Sequence, residues 1–362
     1  MPHKSAWPYF AAALLLSSSC ATAPARAPAP APAKIANETR KIKLLCSEKA
    51  RAASFAALGV PSDERPIDVA VTDKYIWVLF EPARLMRIVR QGDKVDVEMT
   101  VGHGDEHWSS FDVDPADGSV WVASDRKLAL LHLSPTWSRE TIPLKKVEGE
   151  GGFGRLLVAE DALYVMPTSA ERQVWRVDRK GKVLDTHFPA KMKPAELAGS
   201  EVQELDRFAG VGLLRDAEGH VVVRNLSTGK VLQADGKGGW SERPDIHWID
   251  HAQGAFSTVK GINVGGKDER WFLARGAGQL FFWKGRPVFA GPTAVGGNGG
   301  RGVGAQIFYV PDPTGGSAGL SEFYEVCSED FIWGITSNAT SYAAITSKTV
   351  LFGDFADAPD LP

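Results

Sequence analysis

The sequence predicts an all-β fold, a β-propeller of four-stranded antiparallel blades, and three observations carry that prediction. Residues 67–80 (IDVAVTDKYIWVLF) return 44 residues later at 111–124 as FDVDPADGSVWVAS, with the apolar pair, the polar turn and the Trp-Val pair in register. The apolar strand of this unit recurs seven times: YIWVLF at 75–80, VWVAS at 120–124, LYVMP at 163–167, HVVVR at 220–224, RWFLA at 270–274, QIFYV at 306–310 and SYAAI at 341–345. Five of the seven follow an acidic or Gly-rich turn (TDKY, ADGS, AEDA, AEGH, GKDE), the chemistry that lets antiparallel strands reverse tightly. Such a unit cannot bury both faces alone and has to stack on its neighbours.

Within the units a third strand follows, as in LALLHL, QVWRVD and QLFFWK, and then a fourth, as in VDVEMTVG or RETIPL. Four short strands per ~40 to 45 residues mark a propeller blade. Seven blades is the preferred count. Six is the alternative, because the units at 306 and 341 are irregular and short. The last unit (FIWGITS, SYAAITS, TVLFGDF) ends one strand short, while residues 42–47 (IKLLCS) form a lone strand ahead of the first blade. The N-terminal strand is therefore expected to complete the final blade, which removes two exposed sheet edges. One insertion, residues 192–208 (MKPAELAGSEVQELDRF), carries Leu197, Val202 and Leu205 at roughly helical spacing and reads as a short surface helix.

The chain has 362 residues, 44% of them hydrophobic, with 37 Gly, 22 Pro and 11 Trp, the composition of a turn-rich, packed body and not of a disordered one. Residues 39–362 are assigned to that body as one domain. The formal net charge of −3 is spread evenly, so the electrostatic footprint of a nucleic-acid partner is missing. Ahead of the body, Lys4, the apolar run 11–16 and then Ser17, Ser18, Ser19 and Cys20 give the order of parts of a secretory signal peptide over residues 1–20. Small residues before Cys20 resemble a bacterial lipobox and imply lipidation there, although Ser17 stands where Leu is usual; the alternative is an ordinary signal peptide cut elsewhere. Residues 21–38 begin ATAPARAPAPAPAK, an extended Ala/Pro spacer suited to tethering a body to a membrane through a lipid alone. The expected localisation is the bacterial cell envelope, periplasmic or outer-membrane associated. With Cys20 spent, Cys46 and Cys327 remain, and an exported chain permits them to pair; two buried free thiols is the alternative.

The run ADGSVWVASDRKLALLHL followed by RETIPL resembles the repeats of the NHL and streptogramin-lyase-like propellers, and the likeness spans most of residues 60–290. It implies the fold, since these families carry unrelated activities. Calcium-dependent lactonase propellers are similar in fold, but their Glu, Asn and Asp set finds no match by motif here.

In a propeller the loops from the outer strand of one blade to the inner strand of the next gather at the channel mouth. Two such loops match: HGDEHW with His103 and His107, and HWIDHA with His247 and His251. Carboxylates stand beside them (Asp105 and Glu106; Asp250), as do Trp108 and Trp248. Imidazoles with carboxylate support suit a divalent metal, ligated by His103, His107, His247, His251 and Asp250, or a ligand site without metal. The bland reading is that these side chains cap the channel or pack between blades. No cofactor is firmly predicted. The Gly-rich passages GEGGFGR (149–155) and GGNGGRGVG (296–304) lack the strand-to-helix context of a phosphate loop, but they present Arg155 and Arg301 to an anionic ligand. Asp112, Asp114 and Asp117 faintly suggest a calcium loop whose remaining ligands are missing, and a turn explains Asp117 and Gly118. No nucleophile elbow is present. These features favour an envelope-tethered propeller that binds a protein, polysaccharide or small ligand at one face of its channel. The alternatives are a channel-mouth lyase or metal-dependent hydrolase using the paired histidines, and a purely structural module.

Overall fold

The computed structural model describes residues 50–90, 96–144, 152–167, 171–191, 213–216, 218–224, 231–244, 256–264, 267–274, 279–297, 300–311, 320–325, 332–358 and 360. All fall in one compact unit, Lys34–Pro362. After β1 (Arg51–Ser54), the first blade is β2 (Arg65–Val71), β3 (Tyr75–Glu81), β4 (Arg84–Val89) and β5 (Asp96–Val101), hydrogen-bonded in that order. The second is β6 (Ser110–Val113), β7 (Val120–Ala123), β8 (Ala129–Leu133) and β9 (Arg139–Pro143). The third is β10 (Phe153–Val158), β11 (Leu163–Pro167), β12 (Glu171–Val177) and β13 (Val183–Lys191), and the fourth β14 (Leu213–Arg215), β15 (Val221–Arg224), β16 (Val231–Ala234) and β17 (Trp240–Glu242).

The next stretch departs from the expected pattern. Here β18 (Phe256–Val264), β19 (Lys267–Ala274), β20 (Gln279–Trp283), β21 (Arg286–Gly297), β22 (Gly300–Pro311) and β23 (Leu320–Glu325) form one six-stranded sheet. The predicted third strand QLFFWK does not pair with RWFLA. Strand β21 is 12 residues long; its first half pairs with β20 and its second half with β19, which joins the units at 270 and 306 into one sheet. The last blade is β24 (Ile332–Ser337), β25 (Ser341–Thr346) and β26 (Thr349–Asp354), with β1 as its outer strand. The described residues thus contain five four-stranded blades, against the seven expected.

Closure by an N-terminal strand holds, but with different residues. Arg51 to Ser54 pair antiparallel with Phe352 to Thr349, and Phe55 then sets its ring edge-on to Phe80 at 4.9 Å. Residues 42–47, Cys20, Cys46, Cys327 and the insertion 192–208 lie outside the described residues.

The apolar strands run without polar interruption because both of their faces are buried. In β3, Ile76, Val78 and Phe80 face the closing blade while Trp77 and Leu79 face the second, and all five are at most 2% exposed. The same alternation builds the other cores. Trp121, Ala123 and Leu130 meet Phe153, Leu156 and Leu163 between blades two and three. Leu157 and Tyr164 meet Leu213 and Val223 between three and four, and Phe281 and Trp283 meet Ile335 and Tyr342 against the closing blade. The Trp of the recurring Trp-Val pair is thus an inter-blade wedge in both copies, and the turns between these strands follow the expected chemistry. Asp114 N–H donates to the Ser119 carbonyl at 2.8 Å and Gly118 takes φ +75°, where a side chain would strain the backbone.

Candidate functional site

The strands at the inner edge of the blades, β2, β6, β10, β14 and β24, enclose with β20 a cavity of about 90 Å³. Among the described residues, four charged side chains line it: Asp68 from β2, Asp112 from β6, Arg155 from β10 and Arg215 from β14. The two aspartates occupy the same repeat position and are used in the same way. Asp68 is 7% exposed; its Oδ1 accepts the Val69 N–H at 3.0 Å and Arg155 Nη1 at 2.6 Å, and its Oδ2 accepts the Ser110 hydroxyl at 3.0 Å and the Phe111 N–H at 3.4 Å. Asp112 accepts the Val113 N–H at 2.9 Å on Oδ1, and on Oδ2 the Val158 N–H at 2.7 Å and Arg215 Nη2 at 2.5 Å. Each carboxylate therefore binds its own following amide, an amide of the next blade, and an arginine two blades on. Buried charges need this degree of pairing to persist.

The two arginines differ. Arg215 also donates from Nη1 to the Gly219 carbonyl at 3.1 Å and from Nη2 to the Val158 carbonyl, so its fork is well occupied. Arg155 donates to Asp68 from Nη1, and its buried Nε–H has no acceptor. Burial alone would pull the Arg155 guanidinium below the ordinary arginine value; the Asp68 carboxylate, with Asp112 behind it, outweighs that and holds it above. A Cβ on Gly152 would stand 2.1 Å from the Ser124 carbonyl oxygen, which accounts for a glycine in the GEGGFGR passage.

Of the residues nominated from sequence, Arg155 lines the cavity. His103 is exposed, its amide donating to Glu106 Oε2 at 3.0 Å, and His107 is half-buried; neither belongs to the cavity wall. Trp108 is 4% exposed and packs with Trp77, Leu85 and Phe111 between the first two blades. Arg139 lies 5.6 Å from its ring and donates to Glu106 at 2.6 Å, so the HGDEHW loop is sewn onto the blade below it. His247, Trp248, Asp250 and His251 lie outside the described residues; Arg301 falls in β22, and its side chain is likewise outside them. Asp112 and Asp114, weighed as parts of a calcium loop, each hold an arginine instead, Asp114 pairing with Arg179 Nη2 at 2.8 Å.

Among the described residues, Asp216, Glu218 and His220 come close enough to share a metal. Asp216 Oδ1, however, accepts the Glu218 and His220 amides at 3.1 and 2.8 Å, and Oδ2 lies 3.0 Å from Arg243 Nη1. Asp178 and Asp235 accept the amides two and four residues on in the same way, so the group is a recurring turn device with a cation already on its free oxygen.

Asp68, Asp112 and Arg215 escaped the sequence reading as a set, yet a signal was there. Nine residues ahead of the inter-blade aromatics Trp77, Trp121 and Tyr164 stand Asp68, Asp112 and Arg155. A charged residue repeated at one position of an otherwise apolar inner strand points at the axis.

No protein-family profile and no curated protein sequence matches the chain. Similar solved structures are propellers. They include a catalytically inactive virginiamycin B lyase from Staphylococcus aureus with quinupristin, at TM-score 0.47 and 11% identity over 84% of this chain and 98% of that one. They also include YCF48 bound to D1 peptide, at TM-score 0.47 and 14% identity over 86% and 98%. A third is the β-propeller domain of Cps50 (Swd1) from Myceliophteria thermophila, at TM-score 0.45 and 10% identity over 80% and 96%. The likeness is one of fold.

Proposed function

We propose that this chain is an envelope-tethered propeller that works as a binding module, taking a small ligand, or a small group of a larger partner, into its central cavity. The observation that carries the reading is the convergence of Asp68, Asp112, Arg155 and Arg215 on one axial cavity in which each carboxylate is held by amides and an arginine and the Arg155 Nε–H has no acceptor. A general base needs a free lone pair facing its substrate. Asp68 instead accepts two bonds on each oxygen, from amides, a hydroxyl and an arginine, and Asp112 accepts three, from two amides and an arginine, which suits holding over proton transfer. A count of seven blades rests on the strand markers at 270 and 306, which suggest two units where one joined sheet is described.

The test is a screen of the purified protein by thermal unfolding against organic acids, peptides and glycans. A ligand present at 100 times its dissociation constant should stabilise the fold by about 2.7 kcal/mol. A saturable rise within one chemical class, with the ligand recovered unchanged, is the expected result; consumption of the ligand would replace this reading with the lyase or hydrolase alternative. For the tether, Cys20→Ser should release the protein into the soluble fraction, and unchanged membrane association would rule out lipidation at Cys20.

A further inference from the structure

We propose that residues 355–358 and Asp360, which follow the last blade, form a strap that holds β20 in the cavity wall, so that β20 and the strap open as one unit while the other blades stay closed. Such a strap acts on the wall whether or not the cavity takes a ligand. Three features of the molecule point to it.

The first is the position of β20. It lines the cavity with Phe281 and Phe282, yet it stands off the main path of its sheet, hydrogen-bonded to the first half of β21 and not to β19. Side chains set it against the closing blade: Phe281 and Trp283 pack with Ile332, Ile335 and Tyr342, and the Ser337 hydroxyl donates to the Phe282 carbonyl. The second is a plug in that packing. Phe355 and Ala358, 5% and 8% exposed, belong to the same cluster. The Phe355 ring stands edge-on to Trp283 at 5.1 Å and tilted to Tyr342 at 5.7 Å, and its amide donates to the Thr340 carbonyl at 2.7 Å. One aromatic of the strap therefore meets both β20 and the closing blade.

The third is the turn that ends β20. Trp283 pairs with Arg286, so Lys284 and Gly285 make a two-residue hairpin turn, with φ of +49° and +79°. Turns of this sign favour Asn, Asp or Gly, and a lysine there carries backbone strain that persists only where surrounding contacts over-determine it. The strap supplies those contacts. Lys284 Nζ donates to the Ala358 carbonyl at 2.8 Å and to Asp360 Oδ1 at 2.6 Å. The turn and the strap thus hold each other across 74 positions of chain. An element placed by a few side chains of a distant segment opens locally, below the free energy of global unfolding.

Hydrogen exchange read by mass spectrometry tests the strap, on the full chain, on a chain ending at Asp354 and on the full-length variant Lys284→Gly. In the wild type, the amides of β20 and of residues 355–358 should share a common protection, lower than that of β3, β7 and β11. Removing the residues after Asp354 should speed exchange in β20 about tenfold or more and leave β3, β7 and β11 unchanged. Lys284→Gly separates an anchor from a turn residue. Glycine takes positive φ without strain, so a lysine that serves the turn alone predicts unchanged or slower exchange in β20. A lysine that anchors the strap predicts faster exchange both in β20 and in residues 355–358. Wild-type protection of β20 equal to that of β3 would overturn the inference, as would unchanged exchange on truncation or acceleration spread evenly over all blades. Unchanged or slower exchange in Lys284→Gly would overturn it too. The wild-type protection and the Lys284→Gly rates decide the matter even if the shortened chain does not fold. All of these rates are read without ligand, so the outcome of the thermal screen bears on the binding-module reading alone.

Discussion

Asp68→Ala removes the carboxylate on which the channel ring turns. The substitution deletes the acceptor of the Val69 and Phe111 amides, the Ser110 hydroxyl and Arg155 Nη1, and Arg155 is left in the cavity wall with no counter-charge bonded to it. Removing one member of a buried ion pair costs about 3–5 kcal/mol, because the survivor is stranded. Water reaches the 24% of Arg155 that is exposed, which places the expectation near the lower end, about 3 kcal/mol. Arg155→Met should cost less, about 2 kcal/mol, since Asp68 keeps its three other donors. The double variant should be no less stable than Asp68→Ala alone, as it removes the stranded charge together with its partner. Asp112→Ala offers an internal comparison: Arg215 retains the Gly219 and Val158 carbonyls, so stranding contributes less there. Urea unfolding with linear extrapolation at constant slope measures all four. A loss under about 1 kcal/mol for Asp68→Ala, or full additivity in the double variant, would refute the stranded-charge argument.

Other expectations test the scaffold. Trp121, 3% exposed between blades two and three with its ring 4.6 Å from His132, should cost about 3–5 kcal/mol when replaced by Ala in the same urea assay. A chain beginning at residue 50 should unfold cooperatively, while one beginning at residue 56 loses β1 and the Phe55 contact, leaves β26 as an open edge, and should unfold at lower temperature and aggregate. The Arg87 guanidinium, set 4.9, 5.3 and 5.0 Å from the rings of Tyr75, Trp77 and Trp137, bonds Glu98, and together with the Trp137 indole N–H it holds the Glu98 carboxyl below the usual glutamate range. A depressed folded value means the stabilisation is present above the unfolded glutamate value of about 4.3 and is lost as pH falls through the folded one. Because Glu98 is half-exposed, Glu98→Gln should lower stability at pH 7 by no more than about 1 kcal/mol, and thermal melts should show that gap closing in acid.

Legibility differed between scaffold and site for a physical reason. The blades could be read because YIWVLF and its copies encode burial on both faces by short continuous apolar runs, and the intervening turns declare themselves by Asp and Gly. The His-rich loop drew attention by composition, yet Trp108 proved to be an inter-blade wedge and Glu106 a partner of Arg139, contacts that join residues some 30 positions apart in sequence. Arg155 was noticed through its glycine-rich approach; its partner Asp68, 87 positions earlier, was not.

By itself the sequence determined the repeat: antiparallel four-stranded blades, aromatic wedges between them, and a final blade that an N-terminal strand completes. Those features depend on neighbours in the chain and on a period that recurs. Tertiary structure decided which strand closes the ring, how β21 joins two expected units into one sheet, and which charges meet at the axis. Each of these is a pairing across blades, set by where the curvature of the stacked sheets brings distant residues together. In a propeller the groups that meet at the axis come from different turns of the repeat, and so the carboxylates and guanidinium groups of the central cavity became a site when the ring was assembled.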